Sequence, residues 1–423
     1  MMFRYHKWFL LGIGLILIVA CNPTQSAFVC EDEIGCVTIA PNEPIKLGVI
    51  HDQTGSGARF GIEQIQATEL AVEAVDNTLL GHPIELQIED EGCTAEGGGV
   101  SALKLVADPQ LLGILGTTCS TAAVEAGRIM TEKGLVLISG ANTATALTGI
   151  GGKQGADWHE GYFRTMSHAS IMGDTGAKFF FEELGKRKAA VINDGDVFST
   201  GQTDVFESSF TALGGEIVLS ATIDKGETNM EPVLTAVANS GAELLFFASF
   251  PTEGVQIINQ LYDVPKLVER ADRAPFMVMG IGNVLTDDFV KTLKAEPIEL
   301  YFALPRNPQG EDVDALAQAI EEKYGQAPTS TNYVHAYNAT QLLLAAIENV
   351  AVQDPDGTLH IGRQALRHNL YATRNFNGIA GPITCDALGD CGGGIYDVMR
   401  FENDDLTADD VRANIIYTYS IQR

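Results

Sequence analysis

From Ile45 onward the chain alternates short apolar runs with amphipathic stretches. Residues 45–50 read as a buried strand. Ala67, Leu70, Ala71 and Ala74 then recur at i, i+3, i+4 and i+7, one face of a helix. Ile84, Leu86 and Ile88 alternate as the next strand, and 111–115 and 135–139 read as further buried strands, separated by a helix over about 121–133. The pattern restarts after Arg164. Residues 189–192, 216–221, 243–248 and 276–280 are predicted strands, with helices near 201–213, 231–238 and 254–261 between them. Beyond Leu300 come two helices, one turning Val313, Leu316, Ala317 and Ile320 inward and a longer one over 332–350. Residues 381–422 read as hairpins, with Gly389 and the run Gly392-Gly393-Gly394 as turn signals. Strands alternating with helices predict an α/β fold of two doubly wound lobes with mostly parallel sheets. Such lobes hold ligands in the crevice at the carboxyl ends of their strands.

Ahead of this pattern, Arg4 and Lys7 precede an apolar run from Trp8 to Ala20. At about a dozen residues the run is too short to span a bilayer and has the length of a secretory signal core. It closes on Ile18-Val19-Ala20-Cys21, which resembles the lipobox of bacterial lipoproteins, whose cysteine becomes the lipidated first residue of the mature protein. Residues 1–20 therefore read as a signal peptide, Cys21 as the lipidation site, and the polar, aperiodic 21–44 as a tether. A transmembrane anchor or a chance cysteine is the alternative. The expected location is extracytoplasmic, lipid-anchored to the outer face of the cytoplasmic membrane.

Length and charge narrow the class. At about 150 residues per unit, 423 residues suit two or three compact units. With 27 Lys+Arg against 55 Asp+Glu the net charge is −28, at 45% hydrophobic residues. That apolar fraction excludes a disordered acidic tail, and the sign argues against nucleic acid or an anionic lipid surface as partner. Besides Cys21 there are Cys30, Cys36, Cys93, Cys119, Cys385 and Cys391. An even number in an exported chain favours disulfides, with the connectivity open. The 30/36 and 385/391 spacings would close small loops. The chain has no C-x-x-C and no His near these cysteines, so no metal is expected.

The motif search finds binding loops rather than catalytic ones. Gly55 to Gly61 follows the first strand and opens a helix, but its G-x-G-x-x-x-G spacing departs from the dinucleotide fingerprint, so no cofactor is expected. His159-Glu160 lacks the second His of H-E-x-x-H, and no G-x-S-x-G or P-loop occurs. An enzyme using His51 or His159 with Asp52 or Glu160 is the least supported reading. Thr117 to Thr121 ends one buried strand and begins a helix, with Ser120 or Thr121 as the N-cap. The hydroxyl and free N–H groups there form an anion site. Ser139-Gly140-Ala141-Asn142-Thr143 ends the next strand the same way, so the two strand ends could clamp one carboxylate. In the second lobe, Asp194-Gly195-Asp196-Val197-Phe198 and Phe250-Pro251-Thr252-Glu253 place aromatics and acids at opposing strand ends. Capping and ordinary core packing are the plain alternatives for these segments.

Read in order, several segments together resemble the type I periplasmic binding proteins of the leucine/isoleucine/valine-binding kind, which serve ABC importers. They are Leu47 to Gly55 leading to Phe60-Gly61, Asp90-Glu91-Gly92-Cys93 with Thr118-Cys119-Ser120-Thr121, Leu137-Ile138-Ser139 leading to Thr143, Glu322-Lys323-Tyr324-Gly325, and Phe376-Asn377-Gly378-Ile379-Ala380-Gly381-Pro382-Ile383. The resemblance implies a Cys93–Cys119 disulfide, a ligand carboxylate on Ser120 and Thr143 with the Asn142 backbone nearby, and Phe60, Phe198 and Phe250 against the ligand side chain. It also implies a multi-crossover hinge, with lobe one at 45–163 and 301–380 and lobe two at 164–300 and 381–423. The implied partners are a small ligand and a membrane ABC permease, and no reaction is implied. Amino-acid binders of this kind carry an acid for the ligand ammonium after the strand at 276–280, where this chain has Ile281-Gly282-Asn283. Either Glu253, Asp194 or Asp196 replaces it, or the ligand is an amide, urea or aromatic carboxylate. A sensor of the same fold is the remaining alternative.

Overall fold

The computed structural model describes residues 28–420 apart from 56, 151, 169–170, 196, 270–274, 282–284, 286 and 295–296. The expected signal peptide, Cys21 and the first part of the tether lie outside the described residues, as do Asp196, Gly282 and Asn283. A short strand, β1 (Cys36–Ile39), comes first. The first α/β unit follows: β2 (Ile45–His51), α1 (Ala58–Glu73), β3 (Thr78–Leu79), β4 (His82–Asp90), α2 (Ala95–Leu105), β5 (Leu111–Gly116), α3 (Ser120–Glu132), β6 (Val136–Ser139), the hairpin β7 (Gly149–Ile150) and β8 (Lys153–Gln154), and β9 (Tyr162–Arg164). Its six-stranded sheet has the order β3-β4-β2-β5-β6-β9 and is parallel except for β3. Every residue of β5 is buried, as a central parallel strand covered on both faces requires.

The second unit runs α4 (Ile171–Lys178), β10 (Lys188–Asn193), α5 (Val197–Ala212), β11 (Glu216–Thr222), α6 (Glu231–Ser240), β12 (Leu244–Ala248), α7 (Pro251–Leu261), α8 (Pro265–Val268), β13 (Phe276–Ile281), α9 (Asp287–Val290) and β14 (Ile298–Pro305). The chain then crosses to the first unit for α10 (Glu311–Tyr324), α11 (Asn332–Val350), β15 (Val352–Gln353), β16 (Leu359–Gly362), α12 (Arg363–Tyr371) and the pair β17 (Phe376–Gly378) and β18 (Gly381–Ile383). It returns for β19 (Ile395–Phe401), α13 (Ala408–Ala413) and β20 (Ile415–Ser420). The second sheet is seven-stranded, β11-β10-β12-β13-β14-β19-β20, parallel as far as β14 and antiparallel at its last two strands. Among the described residues no helix is long and apolar enough to cross a membrane.

Each sheet buries apolar residues on both faces. In the first unit, Leu47, Val49, Leu112 and Val136 pack under Leu342, Leu343 and Ile347 of α11, while Ile114 and Leu137 pack with Ala123, Ala126 and Met130 of α3 on the other face. In the second, Phe247, Val278 and Phe302 face Ile257 and Leu261 of α7, while Phe246 and Met279 face Phe206 and Phe210 of α5.

Three expectations are corrected. Residues 28–44 are not a free tether: Val37 and Ile39 of β1 are buried, β1 pairs antiparallel with β16, and Cys30 is bonded to Cys36. The Asp32 carboxylate accepts the Gln364 and Ala365 amides at 3.1 and 2.9 Å, capping α12, and Phe28 stacks on His360 with centroids 4.0 Å apart. A four-residue strand with two inward residues is too short for a periodicity argument to register. The second crossover follows Pro305, since β14 pairs on both sides within the second sheet. Residues 381–391 stay with the first unit, where Gly389 O accepts the Arg164 amide at 3.0 Å and Arg164 O accepts the Cys391 amide at 2.9 Å. A side chain at Gly389 would lie 2.0 Å from Tyr162 O, so only glycine permits that approach. Cys93–Cys119 and Cys385–Cys391 are also disulfides.

Candidate functional site

The carboxyl ends of β2, β5 and β6 converge on one edge of the first sheet. After β2, Asp52 is wholly buried and its two carboxylate oxygens accept the Gly55 and Gly57 amides at 2.6 Å each, folding the chain tightly into α1. A Cβ on Gly61 would lie 1.9 Å from Asp52 O, so this helix can sit so close only with glycine there. Burial pushes the His51 imidazole down to about 3, so it is neutral, and its Nδ1 lies 3.0 Å from the Thr118 hydroxyl. Because Thr118 Oγ1 also accepts the Asp52 amide and the Gln64 side-chain amide, its own proton goes to His51. The imidazole is thereby fixed in a structural role. Asp52 lies beside Cys93 and Cys119, but those sulfurs are bonded to each other and offer no metal ligand.

After β5 and β6 the two predicted clamp loops meet. Ser120 Oγ accepts the Thr143 and Ala144 amides at 3.3 Å each, which leaves its proton to donate. The Ser120 and Thr121 amides open α3, where no helix carbonyl reaches them. The half-buried Thr143 hydroxyl adds a further donor. Four donors at the positive end of a helix macrodipole suit a carboxylate.

Asn142 has another task. It is wholly buried, its Nδ2 donates to Thr117 O at 3.0 Å, its Oδ1 accepts the Tyr162 hydroxyl at 3.0 Å, and its amide donates to Ser139 Oγ at 2.9 Å. Its side chain and N–H are both used inside the protein, and what it does is brace the clamp loops against each other. Burial raises the Tyr162 hydroxyl pKa, keeping it a donor. Thr117 and Ser139 belong to the two strand-end segments read as a clamp, and they brace Asn142 inside it; Tyr162, the third member of this network, carries no local signal in the sequence. Arg164 was also missed. Fully buried, it donates to Ala144 O at 2.8 Å and to Thr148 Oγ1, and pairs with Asp390 at 3.0 Å. It thus joins the clamp loop to the third crossover.

The opposing half lies on the first turns of α5 and α7. Phe198 and Phe250 have ring centroids 6.0 Å apart, and the Phe250 amide donates to the buried Asp194 carboxylate at 2.8 Å. Phe250 is 37% exposed, and in the first unit Phe60 is 42% exposed on the first turn of α1. Thr121 is exposed on α3. Glu253 is buried: Oε1 accepts the Gly226 amide at 2.7 Å, and Oε2 meets no partner. Ser199 Oγ and Gln202 Oε1 of α5 are likewise buried and unpartnered. A Cβ on Gly201 would lie 3.7 Å from Thr145 Oγ1, so α5 approaches the clamp loop of the other lobe directly. Ile281 is buried in β13, and the turn where an acid was sought lies outside the described residues.

The family described as periplasmic binding protein matches residues 44–393. The chain belongs to this family. It is 23% identical over 366 residues to a Leu/Ile/Val-binding protein homolog of Brucella melitensis, covering 85% of this chain and 92% of the relative. Its fold is similar to the branched-chain amino acid transporter substrate binding protein LivJ of Streptococcus pneumoniae, solved with isoleucine, at a TM-score of 0.63 and 20% identity, over 90% of this chain and 99% of that one. It is similar also to an ABC transporter solute binding protein of R. palustris solved with benzoate, at a TM-score of 0.61 and 18% identity, over 89% and 95%. The two-lobed periplasmic binding protein architecture is therefore the fold of this chain.

Proposed function

We propose that this protein is the extracytoplasmic solute receptor of an ABC importer, closing its lobes on a small amino-acid-like ligand and delivering it to a membrane permease. The observation that carries this is the pairing of four uncommitted donors at Ser120, Thr121 and Thr143 on one lobe with aromatic rings and a buried, unpartnered carboxylate oxygen on the other. The ligand carboxylate takes the donors, Phe198 and Phe250 cover its apolar part, and Glu253 is the candidate counter-charge for an ammonium. Contacts on both lobes favour the closed state over the open one, which is all that a receptor requires. The chain binds and does not react. Lipid attachment at Cys21 keeps it at the membrane face, and the lobes comprise 28–164 with 311–391, and 171–305 with 395–420.

A second reading is an aromatic carboxylate without an ammonium, favoured by the Phe198–Phe250 pair and by the acid missing from Ile281-Gly282-Asn283. A thermal-shift panel on protein stripped of copurified ligand separates the two. Branched-chain amino acids or benzoates should raise the melting temperature by mass action, about 2.7 kcal/mol at a hundredfold excess over Kd. A panel of amino acids, amides and aromatic acids that produces no shift overturns the receptor reading.

A further inference from the structure

We propose that Glu91 sets the charge behind the anion clamp: it holds the Cys119 amide that leads into α3, and it does so as an uncharged acid whose ionisation turns the clamp against carboxylates. The proposal rests on the reading that a ligand carboxylate sits at Ser120 and Thr143.

The geometry is as follows. Glu91 follows β4 and is wholly buried. Its Oε1 accepts the Cys119 amide at 2.7 Å, one residue ahead of Ser120, while its Oε2 is buried without a partner. The disulfide between Cys93 and Cys119 ties the same two loops together. An anion with one oxygen unserved inside a protein is unfavourable, and a neutral acid with its proton on that oxygen is less so, since only an unpaired hydroxyl and not a charge is then buried.

The neighbouring acids work in the same direction, and the backbone amides of Cys119 and Thr118 work against it. From the loop after β2 comes Asp52 and from the end of β4 comes Asp90, both acids. Their own oxygens are already served, Asp52 by the Gly55 and Gly57 amides and Asp90 by the Gln53 and Gly92 amides and the Thr54 hydroxyl. The hydrogen bonds to Asp90 hold its carboxyl below the usual range against the cost of its burial. The side of α2 presents backbone and the Thr94 hydroxyl, which donates to Glu91 O at 3.3 Å. α3 presents the Cys119 amide. His51, at the end of β2, is held neutral by burial and supplies no compensating cation. Burial pushes the Glu91 carboxyl up to about 8, outweighing the Cys119 and Thr118 amides that favour its anion, with a smaller push from Asp52 and Asp90. Near neutrality the clamp is therefore backed by a neutral group. Once Glu91 ionises, a buried negative charge stands one residue from the ligand carboxylate, where water screens it poorly.

The test is calorimetric titration of ligand-stripped full-length protein with L-leucine and with benzoate, at pH 7 and pH 9, for wild type, Glu91→Gln and Ser120→Ala/Thr143→Ala. If binding requires protonated Glu91, the wild-type Kd rises about tenfold between these pH values. Glu91→Gln, which has no proton to lose, gives a flat profile with benzoate whatever its affinity at pH 7. Leucine loses charge from its own ammonium in this range, so for leucine the quantity read is the difference between wild type and Glu91→Gln. A wild-type profile that is flat with benzoate, or a Glu91→Gln slope equal to wild type, overturns the proposal. Where only leucine binds, equal slopes do the same. If Glu91→Gln does not fold, the wild-type profile decides, a pH-independent Kd overturning the proposal. Unchanged affinity in Ser120→Ala/Thr143→Ala, or a wild type that binds neither probe at pH 7, overturns the carboxylate reading and the proposal with it. Lost affinity in that double variant beside a flat wild-type profile overturns the role of Glu91 alone.

Discussion

Asp390→Ala is expected to be among the most damaging single changes outside the ligand cleft, because it strands a charge. The Arg164 side chain is 0% exposed and Asp390 is 2% exposed, with 3.0 Å between them. Without Asp390 the guanidinium keeps only neutral acceptors, Ala144 O and Thr148 Oγ1, and Gly392 loses the acceptor of its amide. Breaking a buried pair from one side costs about 3–5 kcal/mol, since the remaining ion is neither hydrated nor neutralised. For a unit of this size that corresponds to roughly 6–20 °C in melting temperature. Thermal unfolding followed by circular dichroism measures it. Replacing both partners with apolar residues, Arg164→Met with Asp390→Leu, should recover most of the loss, because no ion is then stranded. A melting temperature within about 2 °C of wild type for Asp390→Ala, or a double variant as unstable as the single one, refutes the reasoning. Ligand affinity of folded Asp390→Ala should also fall, because Arg164 holds the carbonyl of the residue whose amide meets Ser120.

Two further predictions concern stability. Asp32→Ala removes the acceptor of two α12 amides and should cost about 1–2 kcal/mol in urea unfolding; no measurable loss would return residues 28–35 to the status of a tether. On acidification, the imidazole of His51, depressed to about 3 by burial, contributes stability that is complete above its unfolded value near 6.5 and is lost as pH falls towards 3. Between pH 6.5 and 4.5 this amounts to roughly 2–3 kcal/mol, and His51→Asn should lack that part of the acid loss; an identical pH profile in the variant would falsify the assignment.

How much of this was legible beforehand depended on the length of the signal. Strands such as 111–115 and the long helix at 332–350 announce themselves because apolar runs and 3.6-residue periodicity accumulate over many positions. β1 does not, having two inward residues and a partner, β16, more than 300 residues away. The crossover positions were misjudged for a related reason. Whether Leu304 and Pro305 pair with Val398 and its neighbours, or Arg164 with Gly389, is decided by long-range register that no local pattern encodes. In the candidate site, Ser120 and Thr143 stand out as hydroxyls at strand ends, although the cap position expected for Ser120 or Thr121 is held by Cys119, whose side chain makes no cap hydrogen bond. Asn142 stands near the ligand only by the family resemblance, and the bracing role of its side chain depends on the positions of Thr117, just after β5, and Tyr162, in β9. Glu91 was hidden inside Glu89-Asp90-Glu91, where composition alone cannot separate an acid held under a clamp from two held nearer solvent.

The two halves of the site are built to different standards of rigidity, and this bears on how a receptor of this kind discriminates. The half on the first sheet is cross-braced by Asn142, Ser139, Thr117, Tyr162, the Cys93–Cys119 bond and Arg164, and its unserved atoms, Gln64 Oε1, Glu91 Oε2 and Arg164 Nε, lie behind the clamp donors rather than among them. The half on the second sheet keeps Ser199 Oγ, Gln202 Oε1 and Glu253 Oε2 buried and unserved. A carboxylate is common to the amino acids and the aromatic acids, so between these two classes a preformed clamp gains affinity without gaining selectivity. Discrimination must then come from the lobe that arrives second, because a wrong side chain leaves its buried acceptors unpaired and lowers the closed population rather than the first encounter. Substitutions at Phe198, Phe250 or Glu253 should therefore change which carboxylate is preferred, while Ser120→Ala/Thr143→Ala weakens all of them alike. Competition titrations with leucine against benzoate read the ratio directly; a double clamp variant that inverts this preference would place selectivity on the first lobe instead.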